Sequence, residues 1–276
     1  MAAGLQVMLT MDKVIVKSPE EVEGIARASR ITAEALELCG RAIAPGVETR
    51  DLDALVERFI RVERGAEPAF LGYHGYPASI CVSVNEEVVH GIPGKRVLVE
   101  GDIVSIDVGV RQDRFYGDAA ATFAVGVVDE GSQRLMKVTR EALECGVREA
   151  KAGHHLSDIS HAVERRVRAD KLSVVRALVG HGVGLAVHED PQVPNYGPKG
   201  RGPILQEGMV LAIEPMVNAG TYEVEILADG WTVVTRDRSR SAHFEHTVAI
   251  TANGPRVLTL VESAASKLES KTGEAK

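Results

Sequence analysis

Four acidic residues interrupt apolar stretches that have the composition of β-strands. Asp107 lies in GDIVSIDVGV, Asp118 in FYGDAA, Glu214 in VLAIEPM and Glu245 in SAHFEHTVAI. An acidic side chain is disfavoured in such a stretch and is costly when it is buried without a partner. Four carboxylates with one or two histidines are typical ligands of Mn, Fe, Co or Zn. The sequence therefore predicts a metal site, and a two-metal site in particular.

The first two acids are brought together by a predicted hairpin. A two-residue turn at Gln112 and Asp113 would pair residue 111 with 114 and, further along, Asp107 with Asp118. The two carboxylates would then stand directly opposite on one face, with Cβ atoms about 5 Å apart. Like charges so placed repel unless a cation or a proton lies between them. Either acid alone is more simply a residue of a solvated sheet face, but the pair favours the metal site.

Three histidines lie beside glycines or prolines. His181 in VGHGVG and His188 in VHEDP are predicted in loops after the apolar strand SVVRALVG, and His90 ends VVHGIPG. Glycine allows tight turns and a close approach of the backbone to a ligand. Any one of the three could equally be a hydrogen-bonded core or surface residue. Three further histidines are ambiguous and suit a layer around metal ligands: His74, His243 and His246.

The elements that must position these residues follow from capping signals and apolar periodicity. Ser18, Pro19 and Glu21 predict the start of a helix that ends near Ile43. A second helix is predicted to begin near Thr49. Residues 79–128 are rich in strand formers, helical patterns return at about 132–152 and 157–170, and the chain to about residue 260 is mainly strand.

The order of two helices followed by strands occurs twice, at an offset of 107 residues. Residues 35–58 align without gaps on 142–165, and 98–107 align on 205–214, which lays Asp107 on Glu214. We therefore predict a single α+β catalytic domain over 18–260, built from similar halves of about 18–128 and 129–260. Its site is expected at the seam between the halves. Residues 1–17 are predicted to form an N-terminal extension and 261–276 a flexible polar tail.

Composition restricts the class of function. The 276 residues are 45% hydrophobic and 26% charged, as in a globular protein, and the net charge of −7 disfavours an electrostatic nucleic-acid binder. Three scattered cysteines are too few for a disulfide framework and suit a reducing cytoplasm. The sequence shows neither a signal peptide nor an apolar run long enough to span a bilayer. We expect a cytoplasmic monomer that attaches to no membrane.

Taken together, the motifs resemble those of type I methionine aminopeptidases, which have the pita-bread metallopeptidase fold. The matching segments cover about residues 18–255 in the expected order: GYHGYPASICVSVNEEVVHGIPG, SIDVGV, YGDAAATF, GHGVG, VHEDPQVPNYG, LAIEPM and HFEHT. The resemblance implies two pseudo-symmetric halves with a curved antiparallel sheet covered by helices. It also implies removal of the initiator methionine from nascent proteins and peptides whose second residue is small, with transient contact to the ribosome.

The resemblance further implies a role for each matched residue. It implies five ligands for two divalent ions (Co, Mn, Fe or Zn), of which Asp118 and Glu245 would bridge both: Asp107, Asp118, His181, Glu214 and Glu245. A water between two such ions has a lowered pKa and can attack as hydroxide, with Glu214 as proton acceptor. His90 would contact the substrate and His188 would stabilise the tetrahedral intermediate. The residues expected to contact the methionine side chain are Phe70, Tyr73, Tyr76, Cys81, Val187 and Trp231. Phe70 and Val187 depart from what many relatives have there, which leaves the shape of the pocket open.

Four other classes of protein fit the sequence less well. X-Pro aminopeptidases and prolidases share the fold but carry a substantial N-terminal domain, for which a first helix near residue 18 leaves no room. Type II methionine aminopeptidases have a long insertion between the loop histidines and the following glutamate. In this chain only 26 positions separate His188 from Glu214, which favours type I. A non-catalytic binding protein would have lost ligands, and an unrelated metal-dependent hydrolase would need the whole motif set to be coincidental.

Overall fold

A computed structural model describes residues 14–261 of the chain. Most of the predicted N-terminal extension, and the predicted tail from residue 262 onward, lie outside the described residues. Within residues 14–261 no helix combines the length and the apolar character that crossing a membrane requires.

The helices form where capping and periodicity predict them. They are α1 (Pro19–Ala42), α2 (Thr49–Arg58), α3 (Glu130–Glu149) and α4 (Leu156–Ala169). At the start of α1 the Ser18 hydroxyl accepts a hydrogen bond from the Glu21 backbone, and the Glu21 carboxylate accepts one from the Ser18 backbone. This reciprocal cap satisfies two of the donors that a helix start leaves unpaired. Helix α2 continues into a π-helical turn over Phe59–Glu63.

The strands pair antiparallel throughout the described chain and form four sheets. Their bounds are β1 (Glu67–Pro68), β2 (Cys81–Val84), β3 (Glu87–Val89), β4 (Ile103–Gln112), β5 (Phe115–Ala124), β6 (Ser173–Val174), β7 (Gly180–Gly182), β8 (Glu189–Val193), β9 (Val210–Ile213), β10 (Met216–Asn218), β11 (Val224–Ile226), β12 (Val233–Thr235), β13 (Ser241–His243), β14 (His246–Thr251) and β15 (Gly254–Val257). One sheet has the order β1-β4-β2 with β5 on β4, and the largest has the order β15-β14-β9-β7-β8. The two smaller sheets are β13-β10-β6 and β11-β12-β3.

The β4–β5 hairpin exists, but its predicted register is wrong by one residue at the turn. Gln112 pairs with Phe115, so the turn consists of Asp113 and Arg114. Asp113 has a φ of 55°, in the left-handed region that aspartate tolerates better than most residues. Asp107 consequently faces Ala120, and Asp118 faces Gly109. Because the shift moves each partner by two positions, the two acids keep a common face as diagonal neighbours.

The two halves repeat each other in detail at the offset of 107 residues. Helix α1 ends at Ala42 and α3 at Glu149, while an isolated bridge joins Glu48 to Val97 and another joins His155 to Ile204. The backbone hydrogen bonds around these bridges repeat as well: Gly46 N to Leu98 O and Gly153 N to Leu205 O, Leu98 N to Val47 O and Leu205 N to His154 O, Thr49 N to Arg96 O and Leu156 N to Pro203 O. The molecule is therefore α+β with two pseudo-symmetric halves. The boundary at residues 128 and 129 stays a prediction.

The apolar core ties the helices to the strands that carry the acids. One cluster includes Ile60 and Ile106, and a second includes Ile159 and Ile213, each shielded completely from solvent. Helix α1 also approaches β5 closely at Gly117, where an added Cβ would come within 2.5 Å of the Ser29 backbone. The strand that carries Asp118 is thus packed tightly against α1.

Candidate active site

The four predicted acids converge in the interior, each from a strand or from the end of one. Asp107 lies on β4 and Asp118 on β5, Glu214 follows β9, and Glu245 lies between β13 and β14. Asp118 and Glu245 are almost completely buried, with 4% and 2% of their surface exposed. Ligand atoms of Asp118, His181 and Glu245 all lie within 4.8 Å of one another. The first half supplies the aspartates and the second half supplies the glutamates, so the site spans the seam.

Two threonines join the halves at this seam. The Thr247 hydroxyl accepts from Asp118 N (3.0 Å) and donates to Asp118 O (2.7 Å). Thr122 makes the corresponding pair with His243, accepting from its N and donating to its O, both at 2.9 Å. Between them, Glu245 N donates to Ala120 O at 2.9 Å. Side-chain hydroxyls thus replace ladder hydrogen bonds and fix Asp118 beside Glu245.

His181 presents a lone pair to the carboxylates. It lies within strand β7, whereas the sequence predicts a loop there. Its Nδ1 lies 2.9 Å from the carbonyl oxygen of Gly182, which can only accept, so Nδ1 carries the proton. Its Nε2 is then the acceptor, and it faces Glu214 Oε1 at 3.3 Å. Burial lowers the pKa of His181 to about 3, so the ring is neutral, as a metal ligand must be.

His188 and His90 flank the carboxylates. His188 Nδ1 lies 2.9 Å from the Tyr73 hydroxyl, and its ring centroid is 4.3 Å from that of His181. His90 follows β3 with a φ of 59°, and its ring stands edge-on to Trp231 at 6.5 Å. Burial lowers the pKa of both histidines to about 4, so both rings are neutral near pH 7. Neutral imidazoles can donate hydrogen bonds to a substrate without adding charge to the site.

The electrostatics of the acids call for cations. Burial raises the pKa of Asp107 to about 7 and that of Glu214 to about 8. Burial, reinforced by the neighbouring carboxylates, raises the pKa of Asp118 and Glu245 well above the usual range. One buried oxygen on each of Asp107, Asp118 and Glu245 has no hydrogen-bond partner. Unpartnered buried oxygens of this kind are costly, and divalent ions would satisfy them. The residues present therefore fit a metal centre.

A cavity of about 120 Å³ opens onto the acids, and twelve of the thirteen predicted site residues line it. They are Phe70, Tyr73, Tyr76, Cys81, His90, Asp107, Asp118, His181, His188, Glu214, Trp231 and Glu245. Val187 is the thirteenth, and it is buried in the apolar cluster with Phe70 and Cys81. Phe70 also fills the space over Gly109, where a Cβ would come within 2.5 Å of its ring. The cavity thus combines an apolar wall, formed by residues such as Phe70 and Cys81, with the acids and histidines.

Several residues that support the site were missed or left open by the sequence. Thr122 and Thr247 carry no signal by themselves, because a threonine in a strand is ordinary. Asn195 donates from Nδ2 to the backbone oxygen of Glu214 at 3.0 Å. Of the ambiguous histidines, His243 brings Nε2 to 3.6 Å from Glu214 Oε2, whereas His246 is bonded through Nδ1 to Thr259 at 2.9 Å. His74 lies edge-on against Tyr73, with 4.4 Å between ring centroids.

Comparison with known proteins agrees with this geometry. The sequence profile of metallopeptidase family M24 matches residues 23–252. Methionine aminopeptidase 1 of Bacillus subtilis is 53% identical over 248 residues, which are 90% of this chain and 100% of that protein. The crystal structure of a methionine aminopeptidase from Thermotoga maritima superposes with a TM-score of 0.88 at 48% identity and covers 90% of this chain and 99% of that one. The structure of a prolidase from Pyrococcus furiosus superposes with a TM-score of 0.72 at 26% identity and covers 90% of this chain and 66% of that one.

The chain belongs to metallopeptidase family M24, whose solved members share the fold described here. Within that family its similarity is to the methionine aminopeptidases, so the predictions of the pita-bread fold and of an aminopeptidase of type I are confirmed.

Proposed function

We propose that this aminopeptidase removes the initiator methionine with two divalent ions held by the four acids and His181. The observation that supports this most directly is the set of buried, unpartnered oxygens on Asp107, Asp118 and Glu245 beside the free Nε2 of His181. Ligands of this mixed kind suit Co, Mn, Fe or Zn, and the ion used in the cell depends on availability. When bound, the ions supply Lewis acidity and a water of lowered pKa.

The residues of the chain then divide the remaining work. Glu214 is proposed to accept the proton from the attacking water, because its carboxylate lines the cavity among the proposed metal ligands, with Oε1 3.3 Å from His181 Nε2. His188 is proposed to donate to the scissile carbonyl oxygen as negative charge develops on it. Its Nε2 is available for this because Nδ1 is engaged with Tyr73. His90 is proposed to hold the substrate near its amine and amide, with its ring set edge-on to Trp231.

Specificity is proposed to come from the apolar wall of the cavity. Phe70, Tyr76 and Cys81 are each less than 10% exposed, and the Tyr76 hydroxyl is bonded to Gly91 O at 2.9 Å. A rigid apolar pocket suits an unbranched thioether side chain. Such pockets discriminate by only about 1–3 kcal/mol per methylene. The preference at the second residue is proposed to be steric. The mouth of the cavity would exclude large side chains, so the second residue of the substrate must be small.

We further propose where the enzyme works. Its proposed substrates are nascent chains and peptides that begin with methionine, so we propose a cytoplasmic enzyme that contacts the ribosome transiently. We propose that it acts there as a monomer. The three cysteines are free, which is consistent with a reducing compartment.

The test is metal-titrated hydrolysis of three peptides, Met-Ala-Ser, Met-Lys-Ser and Ala-Pro-Ser, starting from chelator-stripped protein. We expect methionine release from the first peptide alone, restored by Mn, Co or Fe. Asp118→Asn should abolish it and reduce the bound metal measured by elemental analysis. Cleavage of Ala-Pro-Ser instead would move the chain to the X-Pro branch of the family. Silence on all three peptides despite bound metal would contradict the proposed activity.

A further inference from the structure

A buried ion pair joins the segment before α1 to the segment that carries His188. Lys17 Nζ lies 2.6 Å from Glu189 Oε2, and the two side chains are only 1% and 4% exposed. The partners are 172 positions apart in the sequence. The backbone of Lys17 is fixed as well, since its N donates to Gly208 O at 2.8 Å. Lys17 therefore reaches the interior from a firmly anchored position.

Stability alone does not explain this pair. Removing two charges from water is costly, and replacing a buried pair by apolar residues is often neutral or stabilising. A buried pair is better explained where it holds one particular arrangement of the chain. The ion pairs made by α1 itself are more exposed, as for Glu23 and Arg256, whose side chains are 57% and 47% exposed.

The arrangement that the pair holds is the turn before His188. Glu189 Oε1 accepts from Leu185 N at 2.5 Å and from Ala186 N at 2.9 Å, while Oε2 is engaged by Lys17. Gly184 begins this turn with a φ of 138°, and a Cβ there would come within 2.3 Å of Ile25 Cδ1 on α1. One carboxylate thus fixes both the turn and the residue that follows His188.

We infer that Lys17 and Glu189 are positioning residues for His188. Tyr73 holds the ring of His188 at Nδ1, and the Lys17–Glu189 pair holds the turn that precedes His188 through Leu185 N and Ala186 N. Loosening the pair would move the ring away from the developing charge while leaving the methionine pocket intact. The inference rests on the role proposed above for His188.

The first experiment compares Lys17→Met with Arg256→Met as a matched control, in the full chain with saturating Mn²⁺ and Met-Ala-Ser. Because a displacement of about 1 Å can cost about 100-fold in rate, we expect Lys17→Met to lower kcat by about 10- to 100-fold with KM little changed. Metal content should stay at the wild-type value, and Arg256→Met should keep wild-type kcat. A rise in KM with kcat unchanged, or an equal loss in both variants, would overturn the inference.

The second experiment separates positioning from stability. Lys17→Met leaves a buried carboxylate unpaired, which Glu189→Gln would neutralise while keeping an oxygen for Leu185 N and Ala186 N. In the double variant the tie between this turn and the segment before α1 is still missing, so we expect the Tm to recover and kcat to stay low. A role limited to stability predicts that kcat recovers together with the Tm.

A double-mutant cycle with His188→Ala completes the test. If the pair acts through His188, Lys17→Met should have little further effect on kcat once the ring is gone. A full additional loss in the His188→Ala background would refute the positioning role. If His188→Ala by itself left kcat unchanged, the proposed function of His188 would fail instead, so the two failures are distinguishable.

Discussion

Replacing Thr247 with valine should break the seam between the halves. Valine keeps the shape of threonine but removes the hydroxyl that bonds Asp118 N at 3.0 Å and Asp118 O at 2.7 Å. Thr247 is shielded completely from solvent, so water cannot replace the lost partner. Leaving a buried polar group unsatisfied costs about 1–3 kcal/mol, so two such groups should cost about 2–6 kcal/mol in free energy of unfolding.

The assay is urea unfolding of the metal-free protein followed by far-ultraviolet circular dichroism, in which the midpoint should fall while the slope stays constant. Thr247→Ser retains the hydroxyl and should lose only about 1 kcal/mol. Thr251→Val is the matched control, because its hydroxyl also makes two backbone hydrogen bonds, to Gly254 O at 2.7 Å and from Asn253 N at 3.2 Å, but in a partly exposed hairpin. That control should cost less than about 1 kcal/mol. An unfolding midpoint for Thr247→Val equal to that of the control would refute the role of the Thr247 hydroxyl in joining the two halves.

Three further outcomes are expected. Burial raises the pKa of Glu214 from 4.5 to about 8, so the metal-free folded state holds a proton that the unfolded state releases, and stability from this group is present below pH 4.5 and lost as pH rises through 8. Calorimetry should show the Tm of the metal-free protein falling between about pH 7 and about pH 8, above the range in which histidines titrate, and excess Mn²⁺ should remove that fall. Gly109→Ala should raise KM for Met-Ala-Ser because its Cβ displaces the Phe70 ring into the cavity, and Phe70→Leu in the same chain should restore it. Iodoacetamide should alkylate Cys145 in the native protein but not Cys81, whose thiol is buried with a raised pKa, as peptide mass spectrometry would show.

The sequence predicted the elements well because their signals are local. The cap at Ser18 and the apolar periodicity locate the starts of all four helices of the described chain to within about two residues, whereas the predicted end of α3 lies three residues beyond Glu149. The four acids that stand out in the sequence line one cavity of the structure for a related reason. An acidic residue in an apolar strand needs a compensating partner, and that need is readable without knowing where the partner is.

The errors arose where a side chain or backbone preference competed with pattern. The hairpin turn fell one residue later than predicted, because Asp113 adopts a left-handed conformation that its side chain tolerates. His181 was predicted in a loop because glycines surround it, yet those glycines let β7 lie against β8 and β9. The contacts of Thr122, Thr247 and Lys17 join distant parts of the chain, and no local pattern distinguishes them from ordinary strand or surface residues.

The seam has a consequence for how the protein acquires metal. The Thr247–Asp118 contact joins residues 129 positions apart, and pairing over such a separation slows folding. Neither half alone holds all the proposed donors, since Asp107 and Asp118 come from one and His181, Glu214 and Glu245 from the other. Metal ions held by these donors would therefore bind the completed fold more tightly than a partly folded chain. By mass action they would stabilise only the docked molecule, so the free metal concentration would set how firmly the two halves stay together.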